Sequence, residues 1–251
     1  MLGDAVPYLI LVAAGTVAGA INVIAGGGSF LTLPVLIFLG LPPTVANGTN
    51  RIAILVQNVG AVASFQRHGL IGGSLLARAA VPAVIGAVVG TWIAIEIGDE
   101  TFRDLLALLM IVVSLWTLWD PAGAASGQGG GATRLGEVTF PLAFFAIGIY
   151  GGFVQAGVGF LVLAATTLAG LDLVRGNALK VSLILVFTPI ALGIFAWAGK
   201  VDPGMGAALA LGNLTGGLIG VRLTVLRGHA WVKRVVTVAV IAFAILLWVA
   251  P

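Results

Sequence analysis

Ala25-Gly26-Gly27-Gly28-Ser29-Phe30-Leu31-Thr32-Leu33-Pro34 interrupts an apolar run that would otherwise read as one membrane helix. Glycine in a helix interior costs about 1 kcal/mol relative to alanine, and three in succession leave backbone groups without helical partners. In hydrocarbon such a break survives only where protein buries it or it lines a cavity. A second break, Ala156-Gly157-Val158-Gly159-Phe160-Leu161, follows 130 residues after the first. Paired breaks in one apolar chain point to a transport site.

The 251 residues are 60% hydrophobic and 8% charged, whereas soluble domains carry about 25% charge. The chain therefore reads as an all-α polytopic membrane protein. Its net charge of +3 comes from scattered basic residues, which excludes the clustered basic face of a nucleic-acid binder. There is no cysteine, and His68 and His229 stand far apart, so neither disulfides nor a metal cluster is expected. The start, Met1-Leu-Gly-Asp4, lacks the positive region of a signal peptide. The first apolar run is accordingly expected to stay in the chain.

Apolar runs fall near 5–25, 30–40, 45–66, 71–96, 102–119, 138–155, 160–170, 177–198, 204–226 and 231–250. Most approach the roughly 20 residues that cross a bilayer, but those at 30–40 and 160–170 do not. Shifting the sequence by 130 lays Phe30 on Phe160, Gly40 on Gly170, Asn47 on Asn177, Phe65 on Phe195, Gly69 on Gly199, and Gly86 and Gly90 on Gly216 and Gly220. The register holds without gaps from Gly27 to Gly90. It predicts a first repeat over 1–119, a flexible Gly/Ala/Ser-rich linker over 120–136 and a second repeat over 137–251.

Charge sets how the repeats face. The basic segment Leu226 to Arg234 predicts a cytoplasmic loop, whereas its counterpart Glu96 to Asp104 is acidic and is expected outside. Equivalent loops on opposite sides mean inverted topology. Tracing from them puts nine of the 12 Lys and Arg residues on the cytoplasmic half, leaving Arg51, Arg103 and Lys200 outside. Trp92, Trp197 and Trp248 fall near the outer surface, and Trp116, Trp119 and Trp231 near the inner one. The fold expected is two inverted-topology repeats, each a glycine-broken re-entrant hairpin plus three transmembrane helices. The termini are then outside and the linker cytoplasmic, in a cell membrane (the inner one, in a bacterium).

A helix starting at Ser29 aims unpaired amides, and a partial charge of about +0.5, at whatever occupies the break. Its partner near Gly159 approaches the same midplane from the other side. This is an anion-binding arrangement. Gly27, Gly28, Ser29, Gln155, Gly157 and Gly159 are the candidates there, with Asn22 and Thr32 beside them. Close helix packing is the alternative role for the glycines. Asn50, Arg51 and Lys180 follow the short limbs, the two cations about one turn into their helices. A cation in the membrane is functional by default, and a guanidinium suits an oxyanion bidentately. Snorkelling to the interface is the other explanation for both. Asn47 and Asn177 read equally as helix N-caps. Gln57, Asn58, Asn213 and Thr215 read as interhelical hydrogen bonders, and Pro34, Pro82 and Pro189 as helix starts or kinks. No carboxylate lies clearly within a span, and no nucleotide loop or acid–base pair is visible. An enzyme or a primary pump is disfavoured, and no cofactor is expected.

The Gly-Gly-Gly-Ser and Pro of the first break, with Gly40-Leu-Pro-Pro-Thr-Val-Ala-Asn-Gly-Thr-Asn50, resemble the opening signature of the TauE/SafE family of sulfite exporters. Gly157-Val-Gly159 and Gly170 to Lys180 resemble its weaker second copy, with Ala178-Leu179 in place of the Gly-Thr pair. The resemblance covers nearly the whole chain. It implies movement, often outward, of sulfite, organosulfonates or related small sulfur-containing anions. The function expected is a secondary transporter of a small oxyanion by alternating access between the repeats. A passive anion channel using the same site is the alternative, and a non-transporting scaffold is a third. The partners expected are that anion and the lipid bilayer, with no nucleic acid; a homo-oligomer stays open.

Overall fold

The computed structural model describes residues 2–70, 73–118 and 136–249, and every regular element among them is helical. In chain order these are α1 (Leu2–Ile24), α2 (Ser29–Phe38), α3 (Pro43–Arg67), α4 (Gly73–Glu96), α5 (Asp99–Leu118), α6 (Thr139–Phe153), α7 (Val158–Leu168), α8 (Leu173–Trp197) and α9 (Pro203–Val249). The linker expected over 120–136 lies, but for Gly136, outside the described residues. Among the described residues four stretches are long and apolar enough to cross a membrane: Ala5–Ile24, Gly73–Glu96, Leu173–Trp197 and Pro203–Arg227. The chain is thus a polytopic membrane protein. Helix α3 is as long as α8 but much more polar, because it carries Asn47, Thr49, Asn50, Arg51, Gln57 and Asn58, all turned into the protein.

Adding 130 to the bounds of α3 gives those of α8, and adding it to those of α4 gives 203–226 within α9. The correspondence extends to backbone conformation: positive φ occurs at Gly40 and Gly69 and again at Gly170 and Gly199. Packing repeats with the halves exchanged. Gly15 and Gly19 of α1 lie against Leu209 and Asn213 of α9, while Gly148 and Gly152 of α6 lie against Ala83 and Ala87 of α4. Small residues four apart let these backbones approach closely where lipid supplies no hydrophobic drive.

Chain direction follows from which ends meet. Gly48, early in α3, abuts Phe195 and Lys200 at the far end of α8. Phe65, late in α3, shares an apolar cluster with Ala178 and Val181, early in α8. The two long helices are therefore antiparallel. Helix α2 begins against Asn50 and leads back toward the start of α3. Helix α7 ends beside Gly176, near the start of α8. The turns of the α1–α2 and α6–α7 hairpins meet where Gly26 lies against Gly159.

Several local expectations differ. The segment Leu226 to Arg234 forms no loop, because α9 continues through it to Val249. It holds one glycine and no proline, too little to end a helix. The runs at 204–226 and 231–250 are consequently one helix about 70 Å long, and the second half has two helices after its hairpin where three were expected. Pro34, Pro82 and Pro189 all lie inside helices and start none. Asn47 and Asn177 are not N-caps, since their helices begin four residues earlier, at Pro43 and Leu173. Asp172 caps α8 by accepting from the amides of Val174 and Arg175. Helix α3, preceded by Pro42, borrows Asp99 from the first turn of α5: the carboxylate accepts from the Thr44 amide at 3.0 Å and its hydroxyl at 2.7 Å.

Candidate functional site

The two glycine breaks touch. A Cβ on Gly26 would collide with the backbone of Gly159 and Phe160, and one on Gly159 with Gly26. Gly26 also has φ of +99°, which a side chain rarely tolerates. Next to this junction the rings of Phe30 and Phe160 lie 6.1 Å apart, tilted by 41°. These two residues coincide in the repeat register.

Helix α2 starts with its first amides turned inward on themselves. Phe30 and Leu31 donate to the carbonyls of Gly27 and Gly28, each at 3.0 Å. The amides of Gly27, Gly28 and Ser29 have no backbone partner among the described residues, nor do those of Gly157, Val158 and Gly159. Asn50 fastens the first helix start: its Nδ2 donates to Ser29 Oγ at 3.0 Å, and its Oδ1 accepts from Thr32 Oγ1 at 2.7 Å. At the second break Gln155 Nε2 donates to Thr188 Oγ1 at 2.9 Å, while its Oε1 has no partner. Asn22, just ahead of the first break, donates to Gln57 Oε1 at 3.3 Å.

Arg51 and Lys180 lie about two turns into their helices, deeper than the one turn expected. Arg51 is 0% exposed and Lys180 1%, so neither snorkels. Each instead closes the broken helix of the other half. Arg51 Nη1 and Nη2 donate to the carbonyls of Gly151 and Gly152 at 3.2 and 2.6 Å, at the end of α6, and its Cζ sits 4.7 Å from the Phe195 ring centre. Lys180 Nζ donates to the carbonyls of Asn22 and Val23 at 2.9 and 2.8 Å, at the end of α1, and to Asn177 Oδ1 at 2.6 Å. Asn47 and Asn177 join in, donating to the carbonyls of Phe153 at 2.8 Å and Ile24 at 3.1 Å. Helix C-termini present unpaired carbonyls and about half a negative charge, and these four side chains answer both.

The electrostatics are one-sided. No carboxylate pairs with Arg51 or Lys180 among the described residues; the ion pairs there, Arg103 with Asp104 and Arg175 with Asp172, lie at the surface. Two cations and two helix N-termini are thus buried together against only two helix C-termini. No group of three or more metal-binding side chains occurs among the described residues.

Gly26 and Gly159 make the contact between the halves, with Gly27, Gly28, Ser29 and Asn50 adjoining it from one half and Gln155 and Gly157 from the other. Arg51 and Lys180 are held on the carbonyls that end α6 and α1. Thr188, the partner of Gln155, was not among the residues expected at the site. The signal was its register with Asn58, which the shift of 130 puts opposite it.

Among known proteins, a probable membrane transporter (ORF9) of Sinorhizobium is 29% identical over 243 residues, covering 96% of this chain and 92% of that protein. A probable membrane transporter of Haemophilus influenzae is 26% identical over 231 residues, with 91% and 89% covered. A third, YfcA of Escherichia coli, is 28% identical over 223 residues, with 88% and 82% covered. No solved structure matches the chain. The family profile described as sulfite exporter TauE/SafE matches residues 11–247. That match runs from α1 almost to the end of α9, through both breaks and both capping helices, and the chain belongs to the TauE/SafE family of membrane transporters.

Proposed function

We propose that this protein is a secondary carrier that exports a small oxyanion, sulfite or an organosulfonate, from a site where the two glycine breaks meet. One observation carries the choice of an anion. Among the described residues Arg51 and Lys180 are buried with no carboxylate beside them, and buried charge that helix carbonyls offset only in part is costly. A bound anion offsets it. The unpaired amides at Gly27, Gly28 and Ser29, and at Gly157, Val158 and Gly159, supply donors, and Ser29, Asn50 and Gln155 supply the side chains. The antiparallel run of α3 and α8 and their shared bounds under the shift of 130 support inverted repeats, a design suited to alternating access.

Gly26 and Gly159 approach so closely that no side chain fits between them, and such a contact between the breaks favours a carrier over an open channel. The end of the bundle where α3 finishes and α4 and α8 begin carries Arg67, Arg78 and Arg175, and positive charge favours the cytoplasm for that end. Purified protein in liposomes should release trapped sulfite or a small sulfonate, and Arg51→Gln should slow that release at least about tenfold. Equal flux from liposomes without protein would remove the proposal.

A further inference from the structure

Asn58 lies in the middle of α3, 1% exposed, and neither its Nδ2 nor its Oδ1 has a hydrogen-bond partner among the described residues. An unpaired buried amide is costly, and amides so placed are normally satisfied. Which of the two atoms is nitrogen is an assignment, but with both unpaired the side chain offers one donor edge and one acceptor edge either way.

Its direction follows from neighbours on the same face of α3. Ile54, one turn earlier, clusters with Val158 at the first turn of α7 and with Leu183, Ile184 and Phe187 of α8. Ala61, nearly one turn later, clusters with Val23 at the end of α1. Asn58 therefore stands on the strip of α3 between the two breaks. The repeat register gives the same place. Residue 188 corresponds to residue 58, and Thr188 holds Gln155 at the second break. At the first break the counterpart of Gln155 is Ala25, which has nothing to offer Asn58.

We propose that Asn58 is a further contact of the transported anion and that it selects anions bearing a hydrogen-bond donor of their own. This rests on the oxyanion site proposed above. The amides at the breaks only donate, and so suit bare oxygens. An unsatisfied amide carbonyl instead needs a donor, which a hydroxyl-bearing sulfonate or a singly protonated oxyanion supplies and a simple alkanesulfonate does not. A site built to hydrogen-bond a hydroxyl discriminates against the analogue lacking it, because its own polar group is then left unpaired.

The test compares binding of 2-hydroxyethanesulfonate and ethanesulfonate to the purified full-length protein by calorimetry. Wild type should prefer the hydroxyl-bearing anion by about tenfold or more. Asn58→Leu should bring the preference close to one while ethanesulfonate still binds. Asn58→Thr, which introduces the residue found at the equivalent position 188, guards against simple misfolding and should give an intermediate preference. An undiminished preference in both variants would overturn the role of Asn58, as would wild type that does not distinguish the two anions. Failure of wild type to bind any of sulfite, 2-hydroxyethanesulfonate and ethanesulfonate would instead remove the oxyanion site, and this inference with it.

Discussion

In the proposed carrier Arg51 and Lys180 each have two tasks, and substitution can separate them. Arg51 closes the end of α6 through Gly151 and Gly152 and also contributes a buried charge. Arg51→Lys keeps the charge but loses the planar fork, so melting should show a loss of about 1–2 kcal/mol while anion affinity changes little. Arg51→Gln removes the charge as well. For an anion about 8 Å away at an effective dielectric near 20, that charge contributes about 2 kcal/mol, or about thirtyfold in affinity. Calorimetry on the two variants distinguishes the tasks, and equal anion binding by both would rule out an electrostatic role. Asp99, at the mouth of α5, is governed by pH. Burial pushes its carboxyl up, but the Thr44 hydroxyl and amide, with the Lys200 charge, outweigh this and hold it below the usual carboxylate range. Folding therefore favours the ionised form. The stabilisation is complete above the ordinary value of about 3.9 and is lost as pH falls through the lower folded value. Asp99→Asn should lower the melting temperature at neutral pH, with the gap to wild type closing in acid. A gap that does not vary with pH would show that the carboxylate's charge is not involved.

The hairpins were the most legible elements of the sequence. Three glycines in a hydrocarbon run admit few explanations, and the short limbs after them are too short to cross. The shift of 130 also relates the bounds of α3 to those of α8 and the bounds of α4 to part of α9. The partners of the polar residues were not legible. Asn47 and Asn177 sit where a local N-cap is expected, but their amides bond to carbonyls 106 and 153 residues away in sequence, and local spacing carries no trace of contacts between repeats. The turn expected near Leu226 failed for a different reason. Basic charge reports where a segment sits relative to the membrane, but it does not break a helix. Glycines within the hairpins give an element-level prediction. Gly26→Ala would drive a methyl into Gly159 and Phe160, whereas Gly170, also at positive φ, faces open space. Gly170→Ala should cost about 1 kcal/mol and leave transport intact. Gly26→Ala should abolish transport or folding altogether. Thermal melts and liposome flux on the pair check this, and equal behaviour would mean the breaks do not rely on that contact.

At the scale of the whole molecule, the halves are tied together by exchange. The helix of one half closes the broken helix of the other twice over, through Arg51 with Asn47 and through Lys180 with Asn177. Each hairpin thus depends on the opposite half for its end. Under the proposed alternating access, either side reaches the junction without a continuous path opening, and the return step is faster when an anion is bound on the far side. The measurement that bears most directly on this account is exchange of labelled sulfite from liposomes containing the purified protein, with and without unlabelled sulfite outside. Alternating access predicts saturable efflux that external sulfite accelerates. Efflux that rises linearly with concentration and ignores external sulfite would contradict it.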